Sequence, residues 1–169
     1  GRFFNASQVF SAGTPVVSRP SIVVGVAPCV LVSSSQFQVV CRTPLGEGSN
    51  FPITVTHMGQ VGTAPVPFSY GPPLVQAITP TTARTNALDA NGNQVFLQLV
   101  GRNFGYKDLL VQFLTSTGYI TLGVRSSRFG TDTFVYPGTN HTSVTVRLPP
   151  LVGQNIPIVV TVGGQLNDY

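Results

Sequence analysis

The chain has 169 residues, enough for one large domain or for two modules that each bury a core of their own. Charged residues are only 8% of the sequence, and 18 Gly and 14 Pro accompany many uncharged polar residues, a composition typical of short strands joined by turns. The arginines are scattered and Lys107 is the only lysine, so the net charge of +4 forms no basic stripe and we expect no nucleic-acid partner.

The sequence also lacks a membrane signal. No run reaches the roughly 18 consecutive apolar residues that a membrane span needs, so we expect no direct membrane insertion by this segment. The opening Gly1-Arg2-Phe3 is neither an initiator nor a signal peptide, and we expect the chain to be a piece of a longer protein.

Three short runs alternate apolar and polar residues with a period of two, as half-buried antiparallel strands do. In chain order they cover residues 51–55, 95–99 and 144–148. Turn signals accompany the runs: Asn91-Gly92 lies between the first and the second, and Gly163-Gly164 follows the third. No helical period matches the sequence as well, so the pattern predicts an all-β sandwich.

The strongest feature is an internal repeat. Segments 39–60 and 144–165 align without gaps at an offset of 105 and share eleven identities in 22 positions. A weaker match pairs Gly1-Arg2-Phe3-Phe4 with segment 101–104 at an offset of 100. The repeat unit is therefore about 100 residues, the size of a sandwich domain, whereas solenoid repeats have roughly 20 to 50 residues.

These segments resemble a known family. Segment 70–80 (YGPPLVQAITP), segment 101–105 (GRNFG) and the repeated Pro-x-x-x-Gly and Val-Thr-x-x-Gly-Gln motifs are similar to the IPT/TIG module. That module is an immunoglobulin-like sandwich found in plexins, fibrocystin-like membrane proteins, some starch-acting enzymes and Rel-type transcription factors. The resemblance covers nearly the whole chain and implies tandem immunoglobulin-like β-sandwiches, but it specifies the fold more than the function.

Both copies are expected to be incomplete at the chain ends. We predict a first sandwich over residues 1–71 that lacks its N-terminal strands, because it begins at the Gly-x-x-Phe motif. We predict a second sandwich over residues 72–169 that lacks its last strand, because only the first copy continues through a final strand at 66–70. An open sandwich exposes unpaired backbone, so the missing strands are supplied either by further modules of a longer array or by neighbouring chains.

The only two cysteines, Cys29 and Cys41, flank a predicted hairpin. Extracellular modules of the resembling family carry a disulfide in this part of the fold, so the resemblance implies a Cys29–Cys41 bridge, which contributes about 3 kcal/mol in the chain-entropy model. The alternative is a pair of buried free thiols. A metal site is not expected, because the two sulfurs have no histidine at ligand spacing.

Two N-glycosylation sequons are present, at Asn5-Ala6-Ser7 and at Asn140-His141-Thr142. We expect N-linked glycans on Asn5 and Asn140, which would hydrate a surface with few charges. A disulfide together with glycans indicates a secreted route and an extracellular or cell-surface location.

The residues point to no catalytic site, no metal and no cofactor. The two histidines, His57 and His141, and the five acidic residues are accompanied by no nucleophile elbow, metal motif or phosphate loop. Segment 101–105 follows a strand but opens no helix, so we expect a turn there and not a phosphate cradle.

We therefore predict a non-enzymatic extracellular structural module, the repeat unit of a glycosylated filament, coat or cell-surface stalk. Its expected partners are other copies of itself or adjacent modules of the same chain, in a homopolymer assembled by strand addition. The first alternative is a ligand-binding array in a receptor ectodomain. An accessory domain of a carbohydrate-acting enzyme is less favoured because Trp is absent, and a transcription factor would need reduced cysteines and a basic face.

Overall fold

The computed structural model describes residues 8–11, 14–105, 108–123, 135–137 and 141–167. All elements of regular secondary structure within these residues are β-strands, and every strand pair is antiparallel. The predicted all-β, immunoglobulin-like sandwich class is therefore confirmed.

The chain divides into two compact units. The first unit holds the described residues up to Leu45 together with Ser49–Ser69, and the second holds Gly46–Gly48 together with the described residues from Tyr70 onward. Within the second unit, the backbone N–H of Asp108 donates to the Glu47 carboxylate over 2.8 Å, and the N–H of Tyr70 donates to the Gly48 carbonyl over 2.9 Å. These two hydrogen bonds join Gly46–Gly48 to the rest of the second unit.

The described part of the first unit contains seven strands. They are β1 (Gln8–Ser11), β2 (Thr14–Val17), β3 (Ser21–Val24), β4 (Ala27–Ser34), β5 (Val39–Arg42), β6 (Ile53–His57) and β7 (Gln60–Thr63). Strands β1 and β2 form a hairpin, whereas the other five form a sheet in the order β5-β4-β3-β6-β7.

Strand β4 joins two parts of this sheet. Residues 27–29 pair with β3 and residues 30–34 pair with β5, with a register shift between Leu31 and Ser33. A bulge of this kind bends a strand, and bent strands carry a chain from one sheet of a sandwich to the other. Among the residues of the first unit whose side chains are described, the core cluster contains Ile22, Val24 and Cys29 as its buried apolar residues.

The described part of the second unit contains two four-stranded sheets, as expected of a sandwich. Its strands are β8 (Leu74–Thr79), β9 (Phe96–Arg102), β10 (Leu109–Thr115), β11 (Gly118–Gly123), β12 (Val135–Pro137), β13 (Ser143–Arg147), β14 (Ile158–Val162) and β15 (Gln165–Leu166). One sheet has the order β11-β10-β14-β15 and the other has the order β12-β13-β9-β8.

The core of the second unit lies between its two sheets. Burial alternates along β9, β10 and β13, because successive side chains of a strand point to opposite faces. The inward residues of both sheets belong to one cluster, which also contains the fully buried ring of Phe104. The alternation predicted for residues 95–99 and 144–148 is therefore seen in the burial of Leu97, Leu99, Val144 and Val146.

The repeated segments have the same backbone. Strands β6 and β14 begin and end 105 residues apart. Left-handed residues recur at the same offset, since φ is 62° at Asn50 and 51° at Asn155, and 49° at Met58 and 54° at Gly163. The sequence repeat is thus also a repeat of local structure.

The predicted final strand of the first copy, at 66–70, is reduced to one β-bridge between Phe51 and Phe68. Pro65 precedes this segment and Pro67 lies within it, and neither has a backbone N–H to donate. A continuous ladder cannot form there, and the bridge is what remains of it.

Candidate functional site

The two cysteines of the first unit are joined by a disulfide. Cys29 lies on β4 and Cys41 lies on β5, with their Cα atoms 5.7 Å apart, and the chain has no free cysteine. The structure thus supports the predicted bridge. The bridge ties the two strands together where β4 leaves β3 and begins to pair with β5.

The second unit fills the equivalent position with apolar side chains. In the repeat, Val146 occupies the position that corresponds to Cys41. The counterpart of Cys29 follows from strand pairing. In each unit, three residues on three neighbouring strands pair side by side and form a row across the sheet. In the first unit the row is Cys29, Ile22 and Val55, and in the second unit it is Leu122, Val111 and Val160. Leu122 and Val146 are both buried, so packing replaces the bridge there.

Among the described residues, strand β5 has a strand partner on one side only. Its counterpart β13 lies between two strands, β12 on one side and β9 on the other, whereas β5 pairs only with β4 among the described residues. The side of Val39–Arg42 that faces away from β4 has no strand partner in the described part of the chain. An open edge of this kind is a template for another strand.

The described residues cover the core beneath this edge only in part. Val144, Val146 and Val160 of the second unit are fully buried, in a cluster to which β9 contributes Leu97 and Leu99. Their counterparts in the first unit, Val39, Cys41 and Val55, are only partly buried. The described part of the first unit has no strand in the place of β9, and its core is correspondingly exposed. The open edge of β5 and this half-covered core form the candidate site, which we call the β5 site.

The glycine motif at 101–105 has a structural role. The backbone N–H groups of Gly101 and Phe104 donate to the carbonyls of Thr142 and His141, at 2.8 and 3.0 Å. A Cβ at Gly101 would overlap the carbonyl oxygen of Leu74, so glycine permits a close approach of two strands. These two N–H groups therefore bond to backbone carbonyls of the same unit.

Among the described residues, the two histidines are not grouped with other reactive side chains. His57 is buried in the first unit, and its two ring nitrogens have no hydrogen-bond partner among the described residues. Nδ1 of His141 lies 2.8 Å from the carbonyl oxygen of Gly105 and helps to hold the motif turn. Within the described residues, no group of three or more His, Cys, Asp or Glu side chains is placed to hold a metal ion.

The side chain of Asp89 caps a turn. Its carboxylate accepts hydrogen bonds from the backbone N–H groups of Asn91 and Asn93, both at 2.8 Å. The bond from the Asn93 backbone, followed by that from the Asn93 side chain, lowers the pKa of Asp89 below its ordinary value. The group is exposed and has the geometry of an Asx turn, which accounts for its shift without a catalytic role.

The two predicted glycosylation sites, Asn5 and Asn140, lie outside the described residues. Both remain predictions. In the described part of the chain there is no helix of the length and apolarity required to cross a bilayer.

The sequence predicted that the first sandwich lacks its N-terminal strands, but it did not identify β5 as the strand at the edge. Residues 39–42 alternate weakly, and nothing in them distinguishes an edge strand from a central one. The signal that identifies the site is the comparison of the two copies, because Val144 is buried and its counterpart Val39 is only partly buried.

A family model for the IPT/TIG domain matches residues 12–70, about a third of the 169 residues. No curated protein matches the chain. The matched segment contains the disulfide and the sheet β5-β4-β3-β6-β7. The match and the antiparallel sandwich architecture together support an IPT/TIG domain, of immunoglobulin-like fold, in this part of the chain.

Proposed function

We propose that the chain is a non-enzymatic, extracellular structural module that assembles into a filament, coat or cell-surface stalk. Neighbouring copies or adjacent modules add strands to one another, and N-linked glycans on Asn5 and Asn140 cover the surface. The observation that carries the proposal is the β5 site, where an edge strand and a half-covered core meet. An added strand would pair the backbone and cover the core in one step.

We further propose that the second unit is a second IPT/TIG module. Its support is the repeat at an offset of 105, in which Asn50 and Asn155 have the same left-handed backbone and β6 and β14 have the same bounds. Two related units in series are what a stalk or filament built from modules requires.

The proposed location follows from the covalent chemistry and the surface. A disulfide persists in oxidising compartments, outside the cell or on its surface. Only 8% of the residues are charged, and glycans supply hydration that charged side chains supply in other proteins. Apolar residues such as Val26, Val30 and Val66 are well exposed, which suits a protein that is covered by neighbours or sugar.

The non-enzymatic role is supported by how the reactive residue types are used. The glycine motif bonds to carbonyls, His141 contacts a carbonyl and Asp89 caps a turn. Each of these groups is engaged in holding the fold.

The first test is to secrete the chain from eukaryotic cells and to determine its mass and its shape. We expect polymers by electron microscopy and sedimentation, and a mass that falls on deglycosylation by two N-linked glycans at Asn5 and Asn140. A secreted monomer without glycans would contradict the proposal.

The second test blocks the open edge. A Val40→Lys substitution places a charge on β5, where it opposes strand addition, and we expect it to shift the assembly toward monomers. The matched control is Val26→Lys, because Val26 is 99% exposed at the turn between β3 and β4 and lies away from this edge. Equal assembly of both variants would exclude β5 as the acceptor.

A further inference from the structure

The turn that Asp89 caps contains the dipeptide Asn91-Gly92, in which an exposed asparagine precedes an exposed glycine. The φ of Gly92 is 80°, and a Cβ built on this glycine would meet no atom within 4 Å. Glycine is therefore favoured here by its left-handed backbone and not by a lack of space. The conformation of the turn thus favours glycine directly after Asn91.

An asparagine that precedes a glycine has a reactive side chain. The backbone nitrogen of the following residue can attack the side-chain amide carbon of the asparagine and close a cyclic imide, a succinimide. On most residues the Cβ hinders the approach to that nitrogen, whereas glycine has no Cβ and leaves it accessible. Exposed turns of small and polar residues are also where chains undergo covalent change most readily.

The bonds within the turn leave the two reacting groups accessible. The side-chain amide of Asn91 makes no hydrogen bond to the residues that the structure describes. The N–H of Gly92 donates to the Asp89 carbonyl over 3.3 Å, which is longer than the usual length of about 2.9 Å. By contrast, Asn50 is followed by Phe51, whose N–H donates to a backbone carbonyl over 2.8 Å. The geometry therefore distinguishes Asn91 from Asn50.

We propose that Asn91 is a site of spontaneous deamidation. The nitrogen of Gly92 loses its proton to solvent and forms a bond to Cγ of Asn91, and the bond from Cγ to Nδ2 breaks. The leaving group takes up a proton from solvent and departs as ammonia. Water then opens the imide at either of its two carbonyl carbons, which gives aspartate or isoaspartate at position 91. The net reaction consumes one water and releases one ammonia, and nothing is oxidised or reduced.

Both products change the turn. The Asp89 carboxylate accepts the N–H groups of Asn91 and Asn93, so a new carboxylate at position 91 repels it at close range. Isoaspartate also adds a carbon to the backbone between Asp89 and Asn93, although the N–H of Asp89 donates to the Asn93 carbonyl over 2.8 Å. We therefore expect isoaspartate to disrupt this turn more than aspartate does.

The change extends to the sheet through the next residue. Gln94 directly follows the turn, and its side-chain amide donates to the Leu148 carbonyl at the end of β13 over 2.8 Å. A disrupted turn displaces Gln94 and weakens this link. Deamidation thus acts as a slow, irreversible weakening of the second unit. The inference goes beyond the proposed function and does not depend on strand addition.

The test incubates the folded chain in mildly alkaline buffer and follows deamidation by peptide mapping with mass spectrometry. We expect the mass change from amide to acid to accumulate at Asn91 at least about tenfold faster than at Asn50 or Asn93. The rate should rise with pH, because the attacking nitrogen must lose its proton. Chromatography of the peptides separates aspartate from isoaspartate.

The matched variant is Gly92→Asn. Asparagine tolerates a left-handed backbone, and its Cβ would meet no neighbouring atom at this position. The same Cβ hinders the backbone nitrogen, so deamidation at Asn91 should be at least about tenfold slower in this variant. If the Gly92→Asn chain does not fold, the comparison with Asn50 in the original chain and the pH dependence still test the inference.

A second variant separates charge from backbone length. Asn91→Asp carries the new carboxylate without the extra backbone carbon. We expect the aged chain that contains isoaspartate to unfold at a lower urea concentration than the Asn91→Asp chain. Equal stability of the two would overturn the proposed weakening of the second unit.

Two further results would overturn the site itself. One is an Asn91 that stays intact in the folded chain and reacts only after urea unfolds it, because the turn would then protect the side chain. The other is an equal rate at Asn91 in the original and Gly92→Asn chains. Assembly into polymers tests the proposed function and not this site, since deamidation can be measured on monomers and polymers alike.

Discussion

The side-chain oxygen of Gln94 accepts a hydrogen bond of 2.9 Å from Nε of Arg147. The amide nitrogen of the same side chain lies within hydrogen-bond distance of three backbone carbonyls, those of Ala87, Val95 and Leu148, the last at 2.8 Å. One half-buried amide thus ties the loop before β9 to the end of β13. Arg147 lies in the repeated segment. Because it donates to Gln94, this arginine helps to hold the second unit together.

A Gln94→Ala substitution should therefore destabilise the second unit by about 1 to 3 kcal/mol, because the Leu148 carbonyl and the Arg147 guanidinium lose a partner. Urea unfolding measures the change. Gln98→Ala is the control, since Gln98 is exposed on β9 and should cost less than about 0.5 kcal/mol. A similar loss for the two variants would contradict the role given to Gln94.

Removal of the disulfide should destabilise the first unit. The chain-entropy model gives about 3 kcal/mol for a bridge that closes a loop of this length, and Cys29→Ser with Cys41→Ser should lose at least that amount. Calorimetry with and without reductant measures the effect on each unit.

The second unit suggests a rescue of that loss. The pair Cys29→Leu and Cys41→Val copies Leu122 and Val146, which are buried at the equivalent positions. We expect this pair to recover part of the stability, because apolar packing replaces polar hydroxyls in the core. No difference between the Ser pair and the apolar pair would show that the two positions are not equivalent.

His57 occupies the position that the repeat gives to Val162. Its ring is buried, and neither nitrogen has a hydrogen-bond partner among the described residues. A buried polar group without a partner costs about 1 to 3 kcal/mol, so His57→Val should stabilise the first unit by about 1 kcal/mol after the loss of ring volume.

The contrasting histidine is His141, whose Nδ1 contacts the Gly105 carbonyl. His141→Asn keeps a residue that tolerates the left-handed backbone at this position, where φ is 55°, but removes the ring. We expect it to destabilise the second unit, in the direction opposite to His57→Val in the first. Thermal unfolding measures whether each substitution raises or lowers the stability of the chain. A His57→Val chain that is less stable than the original chain would contradict the role given to His57.

Asp89 should make the second unit sensitive to acid. Hydrogen bonds from Asn93 lower the pKa of Asp89 in the folded state, so the folded chain releases this proton more readily than the unfolded chain. The resulting stability is present above the unfolded pKa, near 4, and is lost as the pH falls through the folded value. NMR titration of the Asp89 carboxyl reports the shift.

The substitution Asp89→Asn removes this titration. We expect the chain that carries Asp89→Asn to show a smaller loss of stability in urea unfolding between about pH 5 and pH 2 than the original chain. An unchanged pH dependence would show that the carboxylate of Asp89 does not contribute to stability in this range.

Local pattern and repetition predicted much of this fold. Alternation indicated strands close to β6, β9 and β13, and the offset of 105 paired Asn50 with Asn155, which have the same left-handed backbone. The family resemblance supplied the disulfide between Cys29 and Cys41.

Features that depend on pairing across the sheets were not predictable. The match of Cys29 with Leu122 depends on strand register, and the contact of Gln94 with the Leu148 carbonyl joins residues 54 apart. The burial of His57 follows from its neighbours in the sheet and not from its own type. The open edge of β5 was visible only by comparison with β13, because an edge is a property of the assembled sheet.

The central claim is that β5 receives a strand when the chain assembles. Hydrogen–deuterium exchange of the backbone amides of Val39–Arg42, measured on dissociated and assembled chains, tests it most directly. The account predicts that these amides become more protected on assembly, while amides of the exposed turn at Gly25 and Val26 do not change. Polymers in which residues 39–42 exchange as fast as in the dissociated chain would contradict it.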